Sequence, residues 1–188
     1  HFNLQEMADS QDIAYITEKL KNACILLSHE AVTKTKYDIS LLQQVLDFLE
    51  NHPFLEVPAI SIYYHSYKAL SNHEEESYYR KLKELVALHQ SKFPKEEQIS
   101  FYRILINYCI RRLNLGYSNF YEEIFEIYKK GLELDMFIEH GVFHPSSFGN
   151  IVMTGLRLKE FDWTEQFLFN YKERLPSEQR EGFFNYNL

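Results

Sequence analysis

Four short segments of this chain end on the same beat. Pro53 and Pro94 lie 41 residues apart, Pro176 stands a further 82 residues on, and Asp135 marks the midpoint of that longer interval. Counting back 15 residues from Pro94, Asp135 and Pro176 reaches Tyr79, Phe120 and Phe161; from Pro53 the same count lands on Asp38, beside Tyr37. Eight residues before the four anchors stand Val45, Val86, Ile127 and Leu168. A second echo lies between these segments: ISIYYHS (60–66), ILINYCI (104–110), FGNIVMT (148–154) and GFFNYNL (182–188) carry Tyr63, Asn107, Asn150 and Asn185 at a shared position. A repeat of this length marks stacked supersecondary units. One helical hairpin cannot bury its own apolar face, so each must lean on its neighbour.

The units read as helices. In YYRKLKELVALHQSKF, Tyr79, Leu82, Val86 and Phe93 fall close to one helical face, with Leu85 and Leu88 beside them. Pro94 and Pro176 stop their helices, because proline lacks the amide hydrogen and clashes with the preceding turn. Asp162 with Glu165, and Asn72 with Glu75, have the spacing of capping boxes. HPSS (144–147) opens another helix. Only 6 Gly and 5 Pro are present, too few for a sheet whose turns recur every few residues. The pattern predicts helices near 12–33, 39–51, 57–71, 74–92, 96–113, 119–134, 146–158, 162–174 and from 177 onward, with 134–145 a loop or short turn. The chain is thus expected to be all-α, with eight or nine helices in one helical-repeat domain, 1–188. Its units cover about 12–53, 57–94, 96–135 and 146–176, with a further unit starting at 177–188. The closing FFNYNL lacks a polar capping face, the expected look of a piece of a longer array.

Paired helices, an aromatic residue just before the second helix and a terminal proline resemble the tetratricopeptide repeat. The likeness is strongest in GNIVMTGLRLKEFDWTEQFLFNYKERLP and FYEEIFEIYKKGLELD, together about a quarter of the chain. It departs in period, about 41 residues against the family's roughly 34. It departs also at the alanine expected early in the second helix, where Thr164 and Leu82 stand. An irregular solenoid of the HEAT type is the neighbouring alternative. The resemblance implies a right-handed α-solenoid of stacked antiparallel helix pairs, whose first helices line a concave groove that holds a peptide.

Composition narrows the function classes. The net charge is −7 without a basic block, which argues against a nucleic-acid partner. No apolar run approaches the 18 residues a membrane helix needs, so membrane insertion is not expected. Cys24 and Cys109 sit in apolar helical stretches as small buried thiols, consistent with a reducing, cytoplasmic home. No nucleophile motif, phosphate loop or zinc pattern is present, and neither a cofactor nor enzymatic activity is expected. His140 and His144 have the spacing of two ligands on one helical face, but Gly141 and Pro145 interrupt that helix, so no metal site is expected. The acidic run at 74–76 reads as a favourable helix N-terminus rather than a cation site.

The mid-helix asparagines carry the functional expectation. Asparagine competes for backbone groups and is a mediocre helix former, so its return at equivalent sites needs a reason. By the resemblance, Asn107, Asn150 and Asn185 would hydrogen-bond a peptide backbone, with Arg111 and Arg157 meeting ligand carboxylates. The competing explanation ties each asparagine to the next helix and each arginine to solvent or an internal partner. Tyr63 and Tyr67 suit either an interface or the packing between helices. The expected function is a non-enzymatic scaffold for a protein or peptide partner. The alternative is a structural or regulatory segment whose faces are used within a larger protein.

Overall fold

A computed structural model describes residues 3–177 and 180; Asn185 and the helix expected from 177 onward lie outside the described residues. The described chain is all-α apart from one two-stranded hairpin. Its elements run α1 (Leu4–Thr33), α2 (Leu42–Leu49), α3 (Pro58–Ser71), α4 (Glu76–His89), α5 (Lys95–Asn114), α6 (Phe120–Glu133), β1 (Ile138–Glu139), β2 (Val142–Phe143), α7 (Pro145–Arg157) and α8 (Phe161–Tyr171). Single 3₁₀ turns cover Pro53–Glu56, Gln90–Lys92 and Lys172–Arg174. Two compact units form, residues 1–104 and 105–188, and their boundary falls inside α5.

In the first unit α3 packs against both α1 and α4. Its residues are accordingly apolar on most sides: Ile60, Ile62, Tyr63, Tyr64, Ser66 and Ala69 are all buried. Leu20, Ala23 and Cys24 of α1 and Tyr79, Leu82 and Val86 of α4 complete the core. Burial pushes the Cys24 thiol up to about 12, so it stays a neutral, packed side chain. A polar bridge crosses this core. The Tyr63 hydroxyl donates to Glu97 Oε2 at 2.7 Å, and Lys21 Nζ lies 3.4 Å from Glu97 Oε1. Tyr63→Phe is expected to cost about 1–2 kcal/mol, because a hydrogen bond to a carboxylate is lost while Lys21 still neutralises the charge. Urea denaturation should show the lower midpoint.

The second unit is built on stacked aromatic rings. Phe143, fully buried, meets Phe137, Phe148, Phe167 and Tyr171 at centroid distances of 5.9, 5.4, 5.7 and 5.3 Å. The hairpin that delivers it occupies the stretch expected to be loop or short turn. His140 and Gly141 both take positive φ, 50° and 81°, the two-residue turn that matches strand twist. Ile138 then pairs Phe143, and Glu139 pairs Val142.

Two of the four anchors of the sequence repeat share one helix ending, whereas Pro53 opens a 3₁₀ turn. Before Pro94 and before Pro176 the same backbone is written twice. His89 (φ −119°, ψ −7°) and Tyr171 (φ −117°, ψ −9°) lead into 3₁₀ turns. Those turns are closed by Phe93 N–H to the Gln90 carbonyl and Leu175 N–H to the Lys172 carbonyl. Asp135 instead sits in a left-handed residue just past α6, at φ 55°. Helices α5, α6 and α7 share that ending. The amides of Tyr117, Met136 and Glu160 reach back to the carbonyls of Arg112, Gly131 and Gly155, with Gly116, Asp135 and Lys159 in the left-handed position. Glycine takes that conformation freely, whereas a side chain costs about 1–2 kcal/mol there. Exposed Lys159 (φ 61°) is therefore a place to gain stability. Lys159→Gly is expected to raise the melting temperature by about 2–4 °C, a net gain near 1 kcal/mol.

Helix starts differ from expectation in two ways. Helix α1 begins at Leu4 rather than near 12, because the Asn3 side chain accepts the Gln5 amide at 3.1 Å and caps it. Neither expected capping box forms. Asn72 closes α3, and α4 is capped by Glu75 accepting from the Ser77 amide; Asp162 lies inside the first turn of α8.

Candidate functional site

Helices α5 and α7 carry matching stripes. Asn107, Ile110, Arg111 and Asn114 follow the i, i+3, i+4, i+7 spacing of one helical face, and Asn150, Met153, Thr154 and Arg157 repeat it. In the second unit a groove of about 210 Å³ forms where these helices meet α6. All four α7 residues line it, joined by Ile110, Leu113 and Asn114 of α5 and by Tyr121, Ile124 and Tyr128 of α6.

Its polar groups divide into those already engaged and those left available. The Thr154 hydroxyl donates to the Asn150 carbonyl at 2.7 Å within α7. Burial pushes the Tyr128 phenol well above its usual range, so it stays neutral. The side chains of Asn114 and Asn150 are exposed and make no hydrogen bond among the described residues. Arg157 lies with its guanidinium carbon 4.8 Å from the centroid of the Tyr121 ring. That stacking orients the guanidinium while leaving its N–H donors to an incoming group. Met153, 54% exposed, adds an adaptable apolar contact. Among the described residues the lining contains one charged side chain, Arg157, and no carboxylate. In a chain of net charge −7 this is a local cationic spot.

Of the residues singled out in the sequence, Asn150 and Arg157 come together in this groove. Asn107 and Arg111 are exposed on the same α5 face as Asn114 but do not line it. Tyr63 belongs to the core of the first unit, 3% exposed and with its hydroxyl held by Glu97, so it is a packing residue rather than a contact for a ligand. Tyr67 is half-buried in the same unit, and burial raises its phenol. The groove residues missed in the sequence include Asn114, Tyr121, Tyr128 and Met153. Asn114 was legible as the next member of the Asn107 stripe, seven residues on.

The other constellations separate in space. His140 is in the hairpin turn and His144 caps α7, so the helical spacing between them does not apply; His144 Nδ1 lies 2.9 Å from the Ser146 hydroxyl. No helix among the described residues is long and apolar enough to cross a membrane. No protein-family model matches the chain, and neither a curated protein nor a solved structure matches it significantly.

Proposed function

We propose that the chain is a non-enzymatic scaffold that holds an extended, acidic peptide segment of a protein partner in the α5–α6–α7 groove. The observation that carries this is the convergence of Asn114, Asn150 and Arg157, with spare hydrogen-bonding capacity, around the exposed Met153. Paired amides suit a peptide backbone, which donates and accepts alternately. An arginine with no carboxylate partner among the described residues suits an acidic side chain. The setting we infer is the tetratricopeptide-like, right-handed array that the sequence resemblance implies. Two buried cysteines outside any disulfide suit a reducing, cytoplasmic compartment.

The test is selection of random displayed peptides on the immobilised protein, run in parallel on an Asn150→Ala/Arg157→Ala variant. Wild type should enrich sequences with one or two carboxylates beside an apolar residue, and the variant should lose that enrichment. Equal enrichment on both proteins would end the proposal. The second reading, a structural segment whose faces serve internal packing, is favoured by one observation, the consumption of Tyr63 by Glu97. In that case no selection emerges on either protein.

A further inference from the structure

A second cleft, of about 370 Å³, opens between α6 and α8 and shares no residue with the groove above. One face of α8 builds its wall: Trp163, Gln166, Phe167, Asn170 and Tyr171 follow the i, i+3, i+4, i+7, i+8 rhythm. Leu132 of α6 stands among the facing residues. The rings are held in place by one another. Trp163 stacks on Phe167 with centroids 5.5 Å apart and planes 6° from parallel, and meets Phe125 edge-on at 4.7 Å. Gln166 and Asn170, one turn apart, are exposed and make no hydrogen bond among the described residues. The charged residues of the lining are neutralised on α6 itself, Lys129 by Glu126 and Glu133 by Lys130. The cleft is therefore an apolar seat bordered by two available amides, without net charge.

We propose that this cleft seats an uncharged apolar side chain of a partner peptide in extended conformation, with Gln166 and Asn170 hydrogen-bonding the neighbouring peptide groups. A carboxamide both donates and accepts, so it pairs with a peptide unit in either orientation. Residues one helical turn apart are separated by about 5–6 Å, close to the ~6.6 Å that two residues of extended chain span. A charged side chain would lose its hydration on entry, and the charged groups described in the lining, Lys129 and Glu133, already have ion-pair partners on α6. This site stands on its own residues, so its failure and the failure of the groove are separate results.

Trp163 is the only tryptophan of the chain, and its emission reports directly on the cleft. The intact protein is titrated with N-acetylphenylalaninamide, a neutral apolar residue between two peptide groups, with excitation where tryptophan alone absorbs. A saturable emission change in the millimolar range is expected, the range open to a ligand of about fifteen heavy atoms. The Gln166→Ala/Asn170→Ala variant, altered only at exposed positions, should bind about tenfold more weakly. The α-amide of N-acetylaspartic acid, which keeps a charged side-chain carboxylate, should also bind about tenfold more weakly than the phenylalanine probe. Absence of saturation, equal response to both probes, or indifference to loss of the two amides would each overturn the proposal.

Discussion

Phe143→Ala is expected to destabilise the protein by about 3–5 kcal/mol, the usual cost of emptying a fully buried aromatic site. Native domains hold only about 5–15 kcal/mol in reserve, so this one change removes a large part of it. The ring has no exposed surface and is surrounded by four others, from the hairpin approach (Phe137), α7 (Phe148) and α8 and its end (Phe167, Tyr171). Those partners belong to elements anchored at different points, so they cannot all close on the void together. Beyond the transfer term, each ring–ring contact adds about 0.5–1.5 kcal/mol in favourable geometries. Thermal denaturation followed by circular dichroism should show a fall of roughly 10 °C or more. Phe143→Leu keeps most of the volume and should cost about half as much. A loss under about 1 kcal/mol for the alanine variant would mean that the hairpin does not insert its ring as described.

That central ring stands in the one stretch where helix logic had nothing to offer. Most helices were legible because the 3.6-residue apolar spacing marks their bodies, and at the ends of α4 and α8 a second, independent signal coincides with it, Pro94 and Pro176. The hairpin was not, because its turn uses His140–Gly141 in place of the more familiar Asn-Gly, and its strands are two residues each, too short for alternation to register. The start of α1 was missed for the opposite reason. Residues 4–11 lack a buried apolar stripe, and only the side chain of Asn3 marks the beginning. At the groove, Asn150 and Arg157 were legible because they sit on one helix two turns apart, a relation that linear spacing contains. Tyr121 and Tyr128 were not, since among 14 Tyr and 15 Phe no single ring stands out until a second helix is laid beside it. Tyr63 failed as a surface candidate because its partner, Glu97, is 34 residues away. A polar bond between residues distant in sequence leaves no periodic trace.

A second relation invisible in linear spacing joins α7 to α8, and it yields the other large expected effect. Thr164 stands where the repeat resemblance calls for alanine, and the space for its extra atoms is supplied by Gly155. A Cβ placed on Gly155 would collide with Thr164 Oγ1 and lie 3.5 Å from Thr164 Cβ. The glycine also serves α7, since its carbonyl takes the Glu160 amide at 2.9 Å and closes the helix end. Thr164 cannot simply move away: it is 1% exposed, and its hydroxyl donates to the Glu160 carbonyl at 2.7 Å. Gly155→Ala should therefore destabilise by about 1–3 kcal/mol through overpacking, even though alanine is the better helix former by about 1 kcal/mol. Removing the offending oxygen reverses the sign. In a Gly155→Ala/Thr164→Ala double variant the new methyl meets only an ordinary contact, so the helix propensity gain is recovered. The four proteins form a cycle whose coupling energy is expected to be at least about 1 kcal/mol. Chemical denaturation of all four measures it. Additive effects would show that the two helices do not cross at Gly155 and Thr164, and that the close approach of α7 to α8 is made elsewhere.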